Sequence, residues 1–415
     1  MKTEDPGKVG MAEDRLDRIG PYFRDRYVET GRLPGVLTAV ARRGQLVHLA
    51  VSGRRDIERE LPMTDDTVFR LYSMTKPVTS VALMQLYEQG AFQLDDPASR
   101  FLPELADLSV LAPGGGRVAA EGPITIQHLL THTSGLTYGF LNETEVDALY
   151  RARGVGNLEA RGDLAGMMTA LAELPLLFEP GTRWNYSVST DVCGRLVEVL
   201  SGESLDAYFA THIFEPLGMS ETGFSVRADQ ASRFAACYVP HQGATLGLPV
   251  DQSGRRRLHR SDDPETSPYL APPRFLSGGG GLVGTTADYL RFCTMLLNKG
   301  ELDGARILGR KTVDYMTTNH LPSGGDLTSM GRPRFSETSY DGIGFGLGFS
   351  VMLDPARAHV MGSPGEFAWG GAASTMFWVD PAEELIGLLM TQLIPSATYP
   401  VRREMKVLTY QALID

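Results

Sequence analysis

Ser73-Met74-Thr75-Lys76 opens the most constraining stretch of the chain. Behind it run Val78, Val81, Ala82, Leu83, Met84, Leu86 and Tyr87, apolar on nearly every side. A helix that is apolar all round belongs in a core, so the fold must be built around this one. Pro77 falls in its first turn or two, where proline is best tolerated. Gly90 supplies the C-terminal stop. Residues three apart share a helix face, which makes the Ser73 hydroxyl and the Lys76 amine neighbours at a buried helix start. A lysine there is costly without a task or a partner. The chain has six lysines (Lys2, Lys8, Lys76, Lys299, Lys311 and Lys406) and uses arginine for most of its 39 basic residues. Arginine keeps its proton in a protein and lysine can lose it, so this lysine suits a base that activates a serine nucleophile. A four-residue S-x-x-K match recurs by chance, and its alternative reading is an N-cap serine with a surface lysine. The buried helix carries the weight.

At 415 residues the chain can bury a large core, in one large domain or two. Its net charge of -11 argues against nucleic acid or an anionic membrane surface as a partner. Cys193, Cys237 and Cys293 are far apart, which fits reduced, buried thiols rather than a disulfide framework. The N-terminus, Met1 to Arg15, has no apolar signal region, and no run is long enough to span a membrane. The expectation is a cytoplasmic soluble enzyme.

Along the chain, residues 11 to 30 read as one amphipathic helix, with Met11, Leu16, Ile19, Tyr22, Phe23 and Tyr27 on one side. Val36 to Ala41 and Leu46 to Val51 read as a hairpin turning at Arg43-Gly44. Residues 96–221 read as an all-α insert, with helices over Ile124 to His132, Asp163 to Leu174, Val188 to Leu200 and Leu205 to Ile213. Residues 222 to 275 are loop-rich, with Arg255-Arg256-Arg257 and Asp262-Asp263-Pro264 expected in solvent. Helices follow at Thr286 to Leu297 and Leu308 to Met316. Strands are expected at Phe345 to Leu353, Ala373 to Val379 and Leu385 to Met390, and a last helix at Pro400 to Leu413. The pattern predicts an α/β (α+β) sandwich. Its antiparallel sheet is assembled from residues 1–95 and 222–415, flanked by helices, with the helical domain inserted.

A serine hydrolase needs a base, an oxyanion hole and a way to protonate its leaving group. The G-x-S-x-G elbow is absent, and so is H-E-x-x-H, which removes the zinc-peptidase reading. His128 and His132, four apart, lack the carboxylate or cysteine company of a metal site and read as packed or surface groups. Phe178 to Ser187 places Tyr186 just before a helix, where it either projects into a cleft or packs at a joint. Phe367 to Thr375 contains Gly370-Gly371 leading into a strand, where another backbone or a ligand can come close; a plain turn is the competing reading.

Taken together, in order and separation, these three stretches resemble the serine β-lactamase and penicillin-binding-protein superfamily. The likeness is greatest to its class C-like branch, the family VIII carboxylesterases and related acyltransferases. Supporting segments are Leu94 to Pro97, Leu129 to Leu136, Pro180-Gly181-Thr182 and Gly280-Gly281-Leu282-Val283. The resemblance implies that Ser73 is acylated, that Lys76 is its base and that Tyr186 shares the proton traffic. It also implies an oxyanion hole from the N–H groups of Ser73 and Ala372.

Trp369-Gly370-Gly371 stands where lactamases carry Lys-Thr-Gly. The cation that would bind a lactam carboxylate is replaced by an indole, with one N–H and an apolar face. Val188 occupies a place where lactamases tend to carry Asn. Both departures favour a neutral small-molecule ester, with Trp369, Gly370, Gly371 and Tyr138 at the substrate. Lys311-Thr312-Val313 lacks the glycine, and Ser261-Asp262-Asp263 sits in a loop. No metal or organic cofactor is implied. The alternatives are an acyltransferase, a β-lactamase or a D-amino-acid peptidase on the same site, and a catalytically silent scaffold. A weak dinucleotide fingerprint, Gly279-x-Gly281-x-x-Gly284, follows no strong β run.

Overall fold

The computed structural model describes residues 1–112, 114–156, 162–240, 258–331 and 340–415. Arg255-Arg256-Arg257 lie outside the described residues. An antiparallel sheet of eight strands forms the centre: β1 (Gly35–Arg42), β2 (Gln45–Asp56), β3 (Leu61–Pro62), β4 (Ile343–Phe345), β5 (Ser350–Met352), β6 (Phe367–Gly370), β7 (Met376–Asp380) and β8 (Leu385–Met390). Their order is β4-β5-β6-β7-β8-β1-β2-β3. The two ends of the chain therefore meet in mid-sheet, where Leu37 pairs with Met390 and Arg42 with Leu385.

All eight residues of β1 are buried, because both faces are covered. Side chains alternate between faces along a strand. Leu37, Ala39, Phe377, Val379 and Leu388 join the core that also takes in α1 (Thr75–Glu88), α2 (Ser189–Ser201) and α3 (Thr286–Leu297). Val36, Val40, Trp378 and Leu389 face the other way, against Ile19, Phe23, Tyr27 and α4 (Val401–Tyr410). α1 is buried from Thr75 to Met84, in keeping with its all-round apolar sequence. Each of its buried Val, Leu and Met side chains contributes roughly 1.5–3 kcal/mol.

The single N-terminal helix breaks into Glu13–Leu16, Ile19–Phe23 and a wider turn over Arg24–Val28. Pro21 causes the first break, since its ring would collide with the carbonyl of Asp17 in a continuous helix. The inward side chains still reach the core, because the breaks keep Leu16, Ile19, Phe23 and Tyr27 on one side. The strand expected over 345–353 is two strands, β4 and β5, joined by a tight turn. Gly348 in that turn has φ +98°, and a Cβ there would stand 2.1 Å from Ser80 Oγ.

The strand expected from Ala373 starts at Met376, because Gly371–Ser374 form the turn, with Ser374 at φ +65°. The stretch 96–221 holds helices at Ile126–Leu130, Glu145–Arg153, Leu164–Ala172, α2 and Leu205–Phe209. It also holds a small antiparallel pair, Ser109–Leu111 with Arg117–Ala119, so it is not purely helical. Asp262 and Asp263 are not left to solvent. Asp262 lies 2.7 Å from the buried Arg70 guanidinium, and Asp263 pairs with Arg59 and Arg260. All three cysteines are free and buried. No described helix is long and apolar enough to cross a membrane.

Candidate active site

Ser73 sits on a single 3-10 turn, Tyr72–Met74, that leads directly into α1. The turn is held from several sides. Leu71 N–H donates to Leu282 O at 2.9 Å, Leu282 N–H to Thr75 Oγ1 at 3.1 Å, and Tyr289 Oη to Met74 O at 2.9 Å. Tyr72 has φ +46°, a left-handed conformation that costs a non-glycine residue about 1–3 kcal/mol and persists only where surroundings impose it. It points the next residue, Ser73, into a cavity of about 800 Å³.

Three side chains converge there. Tyr186 Oη donates to Ser73 Oγ at 2.5 Å, and Lys76 Nζ donates to the same oxygen at 3.4 Å. The Lys76 nitrogen also stands 4.5 Å from the centroid of the Tyr186 ring. Its other two bonds go to Tyr138 Oη at 3.0 Å and Gly279 O at 2.7 Å. Three oxygens therefore surround the Lys76 nitrogen. Tyr138 lines the cavity, but its hydroxyl is turned to Lys76, which makes it part of the proton network as well as of the wall.

The sequence reading missed Asp191, on the first turn of α2. Its carboxylate is 1 % exposed and accepts Ser277 Oγ at 2.6 Å and Gly279 N–H at 3.0 Å. Burial pushes its pKa up, while the Lys76 charge and these hydrogen bonds pull it back. Burial, and after it the Asp191 charge, pushes the Tyr138 phenol well above its ordinary range. Gly279 lets these groups close in: a Cβ there would meet Asp191 Oδ2 at 2.6 Å and Tyr138 Oη at 2.8 Å. That explains a glycine of the apparent dinucleotide fingerprint. In sequence, Asp191 looks like any acid in a first helical turn.

Tyr186 is braced by aromatic rings. Its ring lies 5.0 Å from His132, 5.3 Å from Tyr138 and 5.6 Å from Trp369. His132 is fully enclosed, with Nδ1 3.1 Å from Ser187 Oγ; burial, then the Lys76 charge, holds its pKa well below the ordinary value. It is a packing group, and His128 caps its own helix through Thr125.

Across the cavity, Trp369 on β6 and the turn Gly371-Ala372 form the facing wall. Gly371 N–H is spent on Thr375, at 3.0 Å to its carbonyl and 3.1 Å to its hydroxyl. A Cβ on Gly371 would stand 2.4 Å from Leu71 O, so glycine is what brings this turn against the chain entering Ser73. Ala372 lines the same cavity as Ser73. Lys406, one of the α4 cations that border the cavity, is buried and paired with Glu366. Lys311 is 82 % exposed on a separate helix and takes no part. Among the described residues no cluster of His, Cys, Asp and Glu could hold a metal ion.

An antiparallel sheet between helical layers, with Ser, Lys and Tyr converging at the start of a buried helix, defines a class of acyl-transferring serine enzymes. The chain belongs to the Beta-lactamase family, whose sequence profile matches residues 23–411. It is 37% identical over 375 residues to protein Rv1367c of Mycobacterium tuberculosis, covering 88% of each chain. Over 385 residues it is 33% identical to esterase EstB of Burkholderia gladioli, covering 90% of this chain and 89% of that one. Among solved structures it is similar to EstCE1, described as a hydrolase with promiscuous acyltransferase activity. The TM-score there is 0.77 at 28% identity, covering 96% of this chain and 98% of that one.

Proposed function

We propose that the protein is a carboxylesterase acting through an acyl-enzyme on Ser73. The observation that carries this is the pair of hydrogen bonds on one serine oxygen, from Tyr186 and Lys76, inside a cavity with an aromatic wall. Ser73 Oγ attacks the ester carbonyl carbon as its single proton passes to a neutral Lys76 amine. The N–H groups of Ser73 and Ala372 hold the oxyanion; each such donor contributes roughly 10²–10³ in rate. When the intermediate collapses, the ester C–O bond breaks, Tyr186 gives its phenolic proton to the departing alkoxide, and the proton held by Lys76 replaces it. Water then releases the acid by the reverse proton route.

Trp369 supports a neutral substrate, since it offers no cation to a carboxylate. Of the cations bordering the cavity, Lys406 is paired with Glu366, and Arg151 and Arg402 donate to backbone carbonyls. The similar protein EstB, an esterase by name, supports an ester substrate. A cavity of about 800 Å³ has room for an acyl group and an alcohol together, which favours acyl transfer to an alcohol as a second outcome of the same intermediate. EstCE1 supports that outcome.

The test is Ser73→Ala against p-nitrophenyl butyrate, with fluorophosphonate labelling of the parent. Loss of turnover together with a label on Ser73 is the expected result. Turnover that survives the substitution rejects the assignment. Adding a primary alcohol to the parent measures the partition between hydrolysis and transfer.

A further inference from the structure

The turn after β6 is held by a residue far away in sequence that also borders the cavity. Arg402, in the first turn of α4, donates through Nη2 to Gly371 O at 2.7 Å and to Thr375 O at 2.9 Å. Gly371 O also accepts Ser374 N–H at 3.2 Å, closing the turn. A peptide unit is planar and trans, so the C=O of Gly371 and the N–H of Ala372 belong to one rigid plane and point opposite ways. Whatever fixes the carbonyl aims the N–H.

We propose that Arg402 is a positioning residue for the oxyanion hole. It grips the Gly371 carbonyl so that the Ala372 N–H faces the cavity and Ser73. The proposal rests on the reading of Ala372 as an oxyanion donor. The guanidinium does a second thing at the same contact. A positive charge at the carbonyl end of a peptide draws electron density from its N–H, which makes that N–H a better donor to a developing oxyanion.

The two glycines of the motif fit this role separately. A Cβ on Gly370 would stand 2.6 Å from Arg402 Nη2, so Gly370 admits the guanidinium. A Cβ on Gly371 would collide with Leu71 O, so Gly371 admits the chain leading to the nucleophile. One nitrogen reaches both Gly371 O and Thr375 O, and the Thr375 carbonyl is also the acceptor for Gly371 N–H. Arg402 therefore ties both strands of the turn. A lysine would keep the charge but not the planar, preset donor geometry.

The experiment compares Arg402→Met, Arg402→Lys and Ser73→Ala in the full chain. Arg402→Met is expected to lose roughly 10²–10³ in kcat with KM little changed, as removal of one oxyanion donor does. Arg402→Lys recovers part of that loss, and millimolar guanidinium restores part of the Arg402→Met activity. Affinity for an alkyl boronic acid, which forms a tetrahedral anion on serine, falls by the same factor as kcat/KM. A residue that only stabilised the fold would lower the melting temperature without that parallel. A folded Arg402→Met whose Ser73-dependent turnover stays within about twofold of the parent overturns the proposal and leaves the esterase reading standing. If Arg402→Met does not fold, Arg402→Lys decides by the same boronate comparison: parallel losses support the positioning role, and unaltered boronate affinity rejects it. Turnover that survives Ser73→Ala removes the site reading and this proposal together.

Discussion

The hydroxyl of Tyr186 lies 2.5 Å from that of Ser73, although the two are 113 positions apart in the chain. Rings of His132, Tyr138 and Trp369 pack around Tyr186.

Tyr186→Phe keeps that ring packing and removes only the proton carrier. Its kcat for p-nitrophenyl butyrate is expected to fall by roughly 10²–10⁴, the usual contribution of a positioned acid or base, with an unchanged melting temperature. Near-parental kcat would show that Lys76 handles the proton alone.

Asp191→Asn preserves shape and removes a buried charge. Its bonds from Ser277 and Gly279 become neutral ones, and Lys76 loses a nearby counter-charge. The expected cost is about 1–3 kcal/mol of stability, read from urea unfolding, with a kcat loss well beyond what that instability explains. Parental kcat in a destabilised variant would restrict Asp191 to a structural role.

Trp369→Lys restores a cation where lactamases carry one. Nitrocefin, which has a carboxylate, should then bind better by about 1.5–3 kcal/mol, read as a lower KM, while butyrate ester turnover falls. An unaltered nitrocefin KM would detach substrate class from this position.

His48 makes stability depend on pH. It is buried on β2 with its ring 2.9 Å from Thr38 Oγ1, and burial lowers its pKa from 6.5 to about 4. The unfolded chain therefore binds more protons than the folded one between those values, and stability falls as pH drops from 6.5 to about 4. The contribution is fully present above 6.5 and amounts to ~3 kcal/mol at most. His48→Gln should flatten this part of the curve, measured as unfolding free energy against pH; an unchanged slope would place the acid sensitivity elsewhere.

Local pattern carried much of the fold and part of the site. The apolar run after Lys76 announced a core helix, and β8 occupies the run expected from Leu385 to Met390. Where glycine or proline interrupts such a run, the period misleads: Gly346 and Gly348 fold one apparent strand into two, and Pro21 splits one apparent helix. Asp191 and Arg402 were invisible for another reason. Each acts through backbone atoms of a segment remote in sequence, Gly279 in one case and Gly371 in the other. Residue type alone does not name such a partner. Tyr138 was noticed as a wall residue, but its bond to Lys76 depends on a packing that no spacing rule encodes.

The pairing of β1 with β8 has a consequence on the ribosome. β1 is synthesised well before β8, the strand that pairs along one of its two edges. Until then a strand with eight core-facing or sheet-buried residues has one unpaired edge, the kind of edge that invites aggregation. Nascent chains stalled before residue 385 should therefore be insoluble or chaperone-bound, and activity should appear only once the last strand has left the exit tunnel.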